Sequence, residues 1–536
     1  MKIATKEQIT EIEAKASAML KKIRESESDY PKGRPTYYVD SVNGCDEFDG
    51  KTPETAWRST DKVGMADLKD GDVVLFRRGG VYRGTLLAVS GVTYSAYGEG
   101  PKPELLGSID ASDPSMWIPT PTKNVWRYKN QLGYVIDVGG IFFNDGSIYG
   151  IKITENFGKR ERCDMGQISP LKVFNGRSTF QIERGPWPPA VELKDKGFSY
   201  FQSCVEGLKN DLEFYHSPHE NYLYLYCADG NPARVFDRVE LSLYGSISRP
   251  RSEENRHNVT YDNLAFKYCN FGIGGFGSAT NLTVRNCEFI GIGGALTQPD
   301  RAKNKQHTPE DRDACRYGNG IEIFGVCDGM LVENCYFDQV YDAAVTVQYP
   351  IRGEMTRDYV IDNVRWVNNL FQRCNYPFEL WLYSPEDTNG FYAAQRNIDI
   401  SGNIAINTGY GWSNHRMDPN NTFYYAGWLG ASNCDFVNVC CHDNILANGD
   451  RTVVRGRGFN MEKGIKFFNN KIFHNGLLIN CGEEMKFSDG KFKAFENNDE
   501  NLEKIYESNT WDRSNEFYNI DKGENPAEPF IKLEVK

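Results

Sequence analysis

The sequence predicts an all-β fold, a right-handed parallel β-helix that is interrupted by an antiparallel β-sandwich module and preceded by one helix. Short apolar strands separated by Gly, Asp and Pro turns follow one another from Tyr37 onward, and helical spacing of apolar residues is nearly absent there. An asparagine-containing block also recurs along the second half of the chain. Because a recurrence of short strands is typical of stacked repeats, these observations favour a solenoid.

The recurring block sets the period of this solenoid. In one register, the segments at 261–266, 285–289, 333–337, 367–371, 401–406, 442–447 and 468–473 align Asn263, Cys287, Cys335, Asn369, Asn403, Asn444 and Asn470. The intervals are 24, 48, 34, 34, 41 and 26 residues, so 48 is twice a basal period near 24 and the others carry insertions. We expect three short strands per coil, with each asparagine turned inward to bond the neighbouring coils and cysteine filling the same small slot. A β-propeller, the usual alternative, would show longer periods and blade signatures that this sequence lacks.

The chain divides into five regions. Residues 1–35 contain a helix and a linker, because Thr5 and Gln8 form a capping box ahead of apolar residues at helical spacing. Residues 36–108 are expected to form the first coils, and residues 109–240 the inserted β-sandwich module, since they lack the asparagine register and carry longer alternating strands. Residues 241–481 are expected to form the main β-helix with the active site, and residues 482–536 a C-terminal extension. A polar insertion at 297–318 is predicted to form a wall of the site.

The composition excludes several classes of partner. Lys and Arg number 61 against 73 Asp and Glu, and the resulting net charge of −12 disfavours binding to nucleic acid. No apolar run approaches the roughly 18 residues that a membrane span needs. The 14 cysteines lie largely inside apolar runs without a CxxC pair, and the N-terminus has no continuous apolar leader. We therefore expect reduced thiols and a cytoplasmic location, or secretion if a leader has been removed, and a homo-oligomer is possible.

Three acidic residues on successive coils are the candidate catalytic groups. Aligning the strands IEIF, VTVQ and FELW places Glu322, Thr346 and Glu379 in one column, and Phe324, Gln348 and Trp381 in another. Glu322 and Glu379 would then lie two coils apart, roughly 9–10 Å, whereas Asp342 would lie about one coil from Glu379. Carboxyl pairs at such separations are typical of glycosidases, in which one carboxyl is protonated and the other is ionised. The alternative interpretation of an acidic residue on such a strand is a solvated face residue.

Aromatic and polar residues around these carboxylates predict a carbohydrate site. The candidate substrate-binding residues are Gln348, Trp381, Tyr410, Trp412, His415, Arg416 and Trp428. Tryptophan rings stack on sugar faces, but packing inside the solenoid explains them equally well, and His415 can be a structural loop residue. The seven histidines show no metal-ligand spacing, and no phosphate loop or GxSxG motif occurs. We therefore expect no cofactor and no catalytic metal, and a structural Ca²⁺ is not indicated.

Several segments resemble a known group of carbohydrate enzymes. YYVDSVNGCDEFDGKTPETAW, GDVVLFRRGGVYRGTL, YGNGIEIFG, CYFDQVYDAAVTVQ, NYPFELW and GYGWSNHR are similar to β-helix glycoside hydrolases related to families 120 and 141, which include β-xylosidase, α-L-fucosidase and xylanase-like members. The resemblance covers about residues 36–475 and implies a pectate-lyase-like solenoid that hydrolyses plant or algal oligo- or polysaccharides. It implies retention, with Asp342 as nucleophile and Glu379 as acid/base. A cytoplasmic location favours imported oligosaccharides and an exo mode.

The sequence leaves alternatives open for both the site and the reaction. The 37 residues between Asp342 and Glu379 exceed one bare coil, which the insertion at 351–362 explains; if the alignment differs, Glu322 takes one of the two roles. A polysaccharide lyase or C5-epimerase acting on a uronate-containing glycan is the alternative enzyme. A non-catalytic glycan-binding β-helix is the alternative outside catalysis.

Overall fold

The computed structural model of the protein describes residues 2–132, 137–153, 205–217, 221–296, 316–351, 354–383, 388–415, 434–449, 452–455, 465–487, 490–507, 510–521 and 531–533. Within these ranges the helices are α1 Lys6–Arg24, α2 Thr60–Met65, α3 Pro232–Val235 and α4 Asp499–Glu507. Single 3₁₀ turns lie at Pro53–Thr55, Pro114–Met116, Asn144–Gly146 and Gly411–His415.

The strands up to the main repeat are β1 Lys2–Ile3, β2 Thr36–Val39, β3 Val73–Arg77, β4 Val81–Arg83, β5 Leu86–Ala88, β6 Thr93–Tyr97, β7 Glu104–Leu106, β8 Ser108–Asp110, β9 Trp117–Pro119, β10 Val125–Tyr128, β11 Val138–Phe143, β12 Ile148–Tyr149, β13 Ile151–Ile153, β14 Glu213–His216, β15 Leu223–Tyr226 and β16 Val239–Pro250.

The later strands are β17 Thr260–Asp262, β18 Ala265–Phe276, β19 Ala279–Arg285, β20 Glu288–Ile292, β21 Ala295–Leu296, β22 Arg316–Tyr317, β23 Ile321–Ile323, β24 Cys327–Glu333, β25 Tyr336–Val340, β26 Ala343–Pro350, β27 Tyr359–Val367, β28 Leu370–Gln372, β29 Tyr376–Tyr383, β30 Ala393–Ser401, β31 Ile404–Ile406, β32 Asp435–His442, β33 Ile445–Ala447, β34 Thr452–Arg455, β35 Ile465–Phe468, β36 Lys471–Phe473, β37 Leu477–Phe487, β38 Gly490–Glu496 and β39 Glu516–Asn519.

Parallel pairing dominates this β-rich structure. One sheet, called the second sheet below, contains ten strands from β2 to β35, and each strand in it is parallel to its neighbours. The largest sheet contains two rows of parallel strands. The first row passes through β18, β20, β25, β28, β31, β33, β36 and β39. The other, the carboxylate row, passes through β5, β16, β18, β23, β26 and β29. From β23 to β30 the chain visits the carboxylate row, the second sheet and the first row in strict rotation.

A ladder of inward side chains joins successive strands of the first row. Asn369, Asn403, Asn444, Asn470 and Asn515 are buried, and each Oδ1 accepts from a backbone N–H of the preceding repeat at 2.9–3.1 Å. Each Nδ2 also donates to a backbone carbonyl of that preceding repeat at 2.8–3.0 Å. One amide thus satisfies a donor and an acceptor that burial would otherwise leave unpaired. The predicted inward register of Asn369 and Asn403 is confirmed, and Asn515 extends the ladder beyond residue 481.

The residue before each ladder position explains why the block repeats. Asn286, Asn334, Asn368, Gly402, Asp443 and Asn469 all have left-handed backbone, with φ between 51° and 66°. Asn, Asp and Gly tolerate this region far better than other residues, so the corner selects them. Asn263 belongs to this set, because Asp262 pairs with Arg285 and Phe266 with Phe289. Its predicted alignment with Cys287 is therefore wrong by one residue, and Leu264 occupies the ladder slot.

The two cysteines of the ladder behave as small buried side chains. Cys287 and Cys335 are fully buried and carry free thiols. Cys335 Sγ contacts Glu333 O at 3.3 Å, and burial raises the pKa of this thiol well above its ordinary value. The prediction that both are buried and unbridged is confirmed. The strands that follow them, β20 and β25, are direct neighbours, so the 48-residue interval is one long repeat and not two short ones.

The region between the first strands and the repeat carries a smaller sheet. Strands β9, β10, β15 and β14 pair antiparallel, and β13 adds in parallel to β14. A hydrophobic cluster joins Phe214 and Leu225 of this sheet to Ile141 of β11 and Leu241 of β16. The first half of β16 pairs antiparallel with β8 and β11, whereas its second half pairs parallel with β5 and β18. One strand therefore connects the smaller sheet to the carboxylate row.

Helix α1 forms a brace along the first row. Its N-cap is the predicted capping box of Thr5 and Gln8, and Ile9, Ile12, Ala16, Leu20 and Ile23 are buried against the sheet. Strand β1 pairs with β39, and Arg24 at the other end of the helix lies 3.5 Å from Glu288 of β20. A helix of 19 residues is about 28 Å long, which matches the roughly 29 Å that six strand spacings span.

The ladder makes a quantitative prediction about stability. Asn403→Leu leaves the backbone N–H of Asn369 and the carbonyl of Trp366 buried without their partner, so we expect a loss of about 2–4 kcal/mol in the free energy of unfolding. Asn43→Ala, at an exposed asparagine that bonds Asp40, is the matched control and should change stability by less than about 1 kcal/mol. Urea unfolding followed by tryptophan fluorescence measures both. Equal effects of the two variants would contradict the role given to the ladder.

Candidate active site

The carboxylate row brings two of the predicted acidic residues into one column. Glu322 of β23 pairs with Thr346 of β26, and Thr346 pairs with Glu379 of β29, as the alignment of the three strands predicts. Their neighbours Ile321, Ile323, Val345, Val347, Phe378 and Leu380 belong to the hydrophobic core. Because side chains alternate along a strand, the column lies on the outer face of the row. The second predicted column is also confirmed where Gln348 pairs with Trp381.

Glu322 is held by two amides in a poorly hydrated position. The residue is 8% exposed, and its Oε2 accepts from Asn319 Nδ2 at 2.6 Å and from Gln348 Nε2 at 3.3 Å. Burial raises the pKa of Glu322 to about 7, although these two hydrogen bonds oppose the shift. Near neutral pH this carboxyl group is therefore divided between a protonated form that can donate a proton and an ionised form.

Glu379 has a different environment. The residue is 6% exposed, and its Oε2 accepts a hydrogen bond of 3.0 Å from the hydroxyl of Thr346, which is fully buried. The middle strand of the column thus supplies a donor to one glutamate through Thr346 and to the other through Gln348. Two strand spacings separate the Cα atoms of Glu322 and Glu379, which is about 9–10 Å.

Asp342 lies at the edge of this arrangement. It directly precedes β26, is 7% exposed, and its carbonyl accepts from the N–H of Tyr376 at 3.0 Å. The residue opposite Glu379 on the neighbouring strand is Thr346, which follows Asp342 by four positions or about 13 Å of extended chain. Asp342 and Glu379 are on adjacent repeats, as predicted, but they are not at the same height along the strands.

Aromatic side chains border the column on one side. Phe324, directly after β23, is 43% exposed, and its ring meets Tyr349 edge-on with centroids 6.2 Å apart. Trp381 is partly exposed and stands two residues beyond Glu379. Exposed rings beside carboxyl groups are the kind of surface on which sugar rings stack. Gln348, predicted to contact substrate, is 8% exposed and donates to Glu322.

The predicted sugar platform at Tyr410 and Trp412 is wrong. Trp412 is fully buried, with Phe142 and Tyr341 at centroid distances of 4.9 and 5.1 Å, and Tyr410 is only 3% exposed. Neither ring offers a face to a ligand, because the turn Gly411–His415 packs into the core that also contains Phe142. His415 ends that turn, and Arg416 and Trp428 lie outside the described residues.

Sequence reasoning missed several residues around Glu322. The sequence could have indicated Asn319, because it lies just before β23 and three residues before Glu322, to which its side-chain amide donates. Residues 274 and 275 together oppose Glu322, because Ile273 pairs with Ile321 and Phe276 with Ile323. This is a β-bulge with Gly275 in the left-handed region, a device that is frequent beside active sites. Nothing in the sequence brings Tyr244 of β16 to this site, yet the charge of Glu322 adds to burial in raising the pKa of Tyr244.

Neither a group of metal ligands nor a membrane-spanning helix occurs in the described part of the chain. Within the described ranges, no three His, Cys, Asp or Glu side chains are grouped as ligands for a metal ion. No helix in the same ranges has the length and apolar character needed to cross a membrane.

Comparison with known proteins gives structural neighbours only. No protein-family model and no curated protein matches the sequence. The solved complex of XylC with xylose is similar over 93% of this chain and 85% of that chain, with 13% identity and a TM-score of 0.40. A structure named Glycoside hydrolase is similar over 93% and 99%, with 11% identity and a TM-score of 0.38. The native GH136 lacto-N-biosidase from Eubacterium ramulus is similar over 90% and 68%, with 12% identity and a TM-score of 0.31. These neighbours are glycoside hydrolases.

The raised pKa of Glu322 predicts a pH-dependent cost in stability. The folded protein binds this proton more tightly than the unfolded chain, so the contribution of Glu322 is complete below about pH 4 and is lost as pH rises to about 7. Glu322→Gln keeps an acceptor for both amides but carries no charge. Relative to the unaltered protein, the variant should gain up to about 3 kcal/mol between pH 4 and pH 8.

Urea unfolding at the two pH values measures this gain. Glu333→Gln, at a partly exposed carboxylate of the second sheet, is the matched control and should show little pH-dependent change. A Glu322→Gln variant whose relative stability is the same at both pH values would contradict a buried, proton-binding Glu322.

Proposed function

We propose that the protein is a glycoside hydrolase built on a right-handed parallel β-helix, with the inserted region forming a β-sandwich module. The rotation of the chain through the two rows and the second sheet supports one coil per rotation. The left-handed residues that recur at each corner support the same assignment. The cluster that joins the five-stranded sheet to β11 and β16 supports a two-layered module.

A pair of buried glutamates with different surroundings supports this function. Two buried glutamates lie in a single column on the outer face of parallel strands, and their surroundings differ. Glycosidic hydrolysis requires one carboxyl group that protonates the leaving oxygen and a second that acts from the other side of the sugar. Glu322 has the raised pKa that suits the acid, and the hydroxyl of Thr346 stabilises an ionised Glu379.

The spacing of this pair bears on the stereochemical course. The Cα atoms of the pair are about 9–10 Å apart, and carboxyl groups that keep a comparable distance leave room for a water molecule between the anomeric carbon and Glu379, which then acts as a base. We therefore infer inversion for the pair of Glu322 and Glu379. The retaining reaction expected from the resemblance requires Asp342 as nucleophile, and Asp342 stands about 13 Å further back along its strand. Phe324 and Trp381 supply the rings that hold the sugar.

Kinetics of three variants test the assignment. Glu322→Gln should lose about 10²–10⁴-fold in kcat/KM on an oligosaccharide, but far less on a nitrophenyl glycoside, whose leaving group needs no proton. Glu379→Gln should lose activity on both substrates, because it activates the attacking water. Asp342→Asn should lose less than either. In the unaltered enzyme the rate should fall as pH rises above about 7, where Glu322 loses its proton.

The anomeric configuration of the first product distinguishes the pair of Glu322 and Glu379 from the pair of Asp342 and Glu379. Proton NMR of the reducing sugar during early turnover should show the inverted anomer, with Glu333→Gln as the control that behaves like the unaltered enzyme. A retained anomer together with an inactive Asp342→Asn variant would assign the reaction to Asp342 and Glu379 instead. An unsaturated product would replace hydrolysis by a lyase reaction.

A further inference from the structure

Within the described part of the chain, a half-buried arginine near the candidate site has no acidic partner. Arg316 of β22 donates from Nε to the carbonyl of Gly294 at 2.7 Å and from Nη2 to the carbonyl of Gly139 at 3.3 Å. Its guanidinium lies 4.7 Å from the ring centroid of Tyr341. Among the residues that the structure describes, no Asp or Glu oxygen lies within 4.0 Å of this guanidinium.

The described residues therefore leave the positive charge of Arg316 without an acidic partner. Removing a charge from water is costly unless an opposite charge compensates it, and Arg83 and Arg373 are compensated by Glu240 and Asp338. A guanidinium has five N–H donors, of which Arg316 uses two. The three that remain are on Nη1 and Nη2, the edge that binds a carboxylate through two parallel hydrogen bonds.

The position of Arg316 places this charge at the edge of the carboxylate column. The ring on which the guanidinium lies belongs to Tyr341, the residue before Asp342. The next residue, Tyr317, meets the ring of Phe271 at 5.8 Å. Two residues further along the chain, Asn319 donates to Glu322. Arg316 therefore lies on the side of Glu322 where β23 begins, whereas Phe324 lies where that strand ends.

A buried ionic cluster stabilises the segment that contains Gly139, whose carbonyl accepts from Arg316. Lys152 Nζ donates to Asp137 at 2.5 and 2.6 Å, and Nδ1 of His216 lies 3.1 Å from Asp137 Oδ1. All three residues are at least 95% buried. Asp137 begins the segment whose carbonyls accept from Tyr244 N–H and, at Gly139, from Arg316. Burial lowers the pKa of Lys152 to about 8, and the nearby charge of Arg316 acts in the same direction.

We propose, on the premise of the glycoside hydrolase function above, that Arg316 binds the carboxylate of an acidic sugar unit, so that the substrate is a uronate-containing glycan. The donors on Nη1 and Nη2 that no described residue occupies form a fork that selects a planar carboxylate. The cluster of Asp137, Lys152 and His216 acts as a positioning group, since it reaches the sugar only through Gly139 and Arg316.

The test compares acidic substrates with their neutral counterparts. The probes are glucuronate- and galacturonate-containing disaccharides, the same disaccharides after reduction of the carboxyl group, and a sulfated disaccharide. The unaltered enzyme should prefer the acidic form by about 10–100-fold in kcat/KM, and Arg316→Gln should abolish that ratio. Arg316→Lys should restore part of it, because a lysine keeps the charge but not the fork.

Two further arginines make the assignment specific. Arg251 is also half-buried, but its guanidinium donates to the carbonyls of Val63 and Ala66 at helix α2, so Arg251→Gln should leave the ratio unchanged. Arg249 is exposed on the outer face beside Gly275. A ratio that depends on Arg249 and not on Arg316 would overturn the proposal, as would equal use of acidic and neutral disaccharides or a preference for the sulfated one.

Binding separates this inference from the proposed reaction. Calorimetric titration of Glu322→Gln with each disaccharide measures affinity without turnover. Binding of the acidic forms that the further substitution Arg316→Gln removes, combined with no hydrolysis of any disaccharide by the unaltered protein, would support the acidic subsite and refute the hydrolase. Hydrolysis of neutral glycans without any effect of Arg316 would support the hydrolase and refute the subsite.

Discussion

Satisfying buried backbone groups at one corner is the constraint on which the rest of this structure depends. A stack of short parallel strands must turn sharply, and each turn leaves peptide groups that water cannot reach. The ladder from Asn369 to Asn515 solves this with one amide per repeat, which accepts from one peptide and donates to another. Where Cys287 and Cys335 replace asparagine, the slot stays filled but the amide bonds are missing. Helix α1 then covers the outer face of the same row, with a length that matches the stack.

The candidate site depends on this regularity. Parallel pairing without a shift fixes Glu322, Thr346 and Glu379 in one column, whatever the length of the segments that connect their strands. The register alone does not make the two glutamates different. Their chemistry diverges through neighbours on the middle strand, because Thr346 donates to Glu379 while Gln348 and Asn319 hold a poorly hydrated Glu322. An otherwise repetitive scaffold thereby acquires the asymmetry that acid–base chemistry requires.

The region between the first strands and the repeat contributes a buried ionic cluster and backbone carbonyls near the carboxylate row. Strand β16 links the smaller sheet to the carboxylate row, so that Tyr244 and the segment from Asp137 to Gly139 reach Glu322 and Arg316. The buried pair of Lys152 and Asp137 is weak evidence for stability, because desolvation offsets most of its attraction. The pair instead fixes the position of the segment at the start of β11, in which the carbonyl of Gly139 accepts from Arg316.

Several features follow from the sequence, because each depends on a local period or on a short-range cap. They are the repeat, the helix brace, the burial of the ladder cysteines, and the column of Glu322, Thr346 and Glu379. The one-residue misplacement of Asn263 and the doubling assigned to the 48-residue interval show the limit of period alone, since left-handed corners and ladder slots both favour asparagine. The fate of Trp412 was decided by Phe142 of the inserted region, 270 residues away, which closes a core over it. The raised pKa of Glu322, the height of Asp342 along its strand and the bond of Arg316 to Gly139 likewise arise from contacts between segments that are far apart in the sequence. Local hydrogen bonding determined the scaffold, and only long-range packing decided which of its carboxyl and aromatic groups meet in the candidate site.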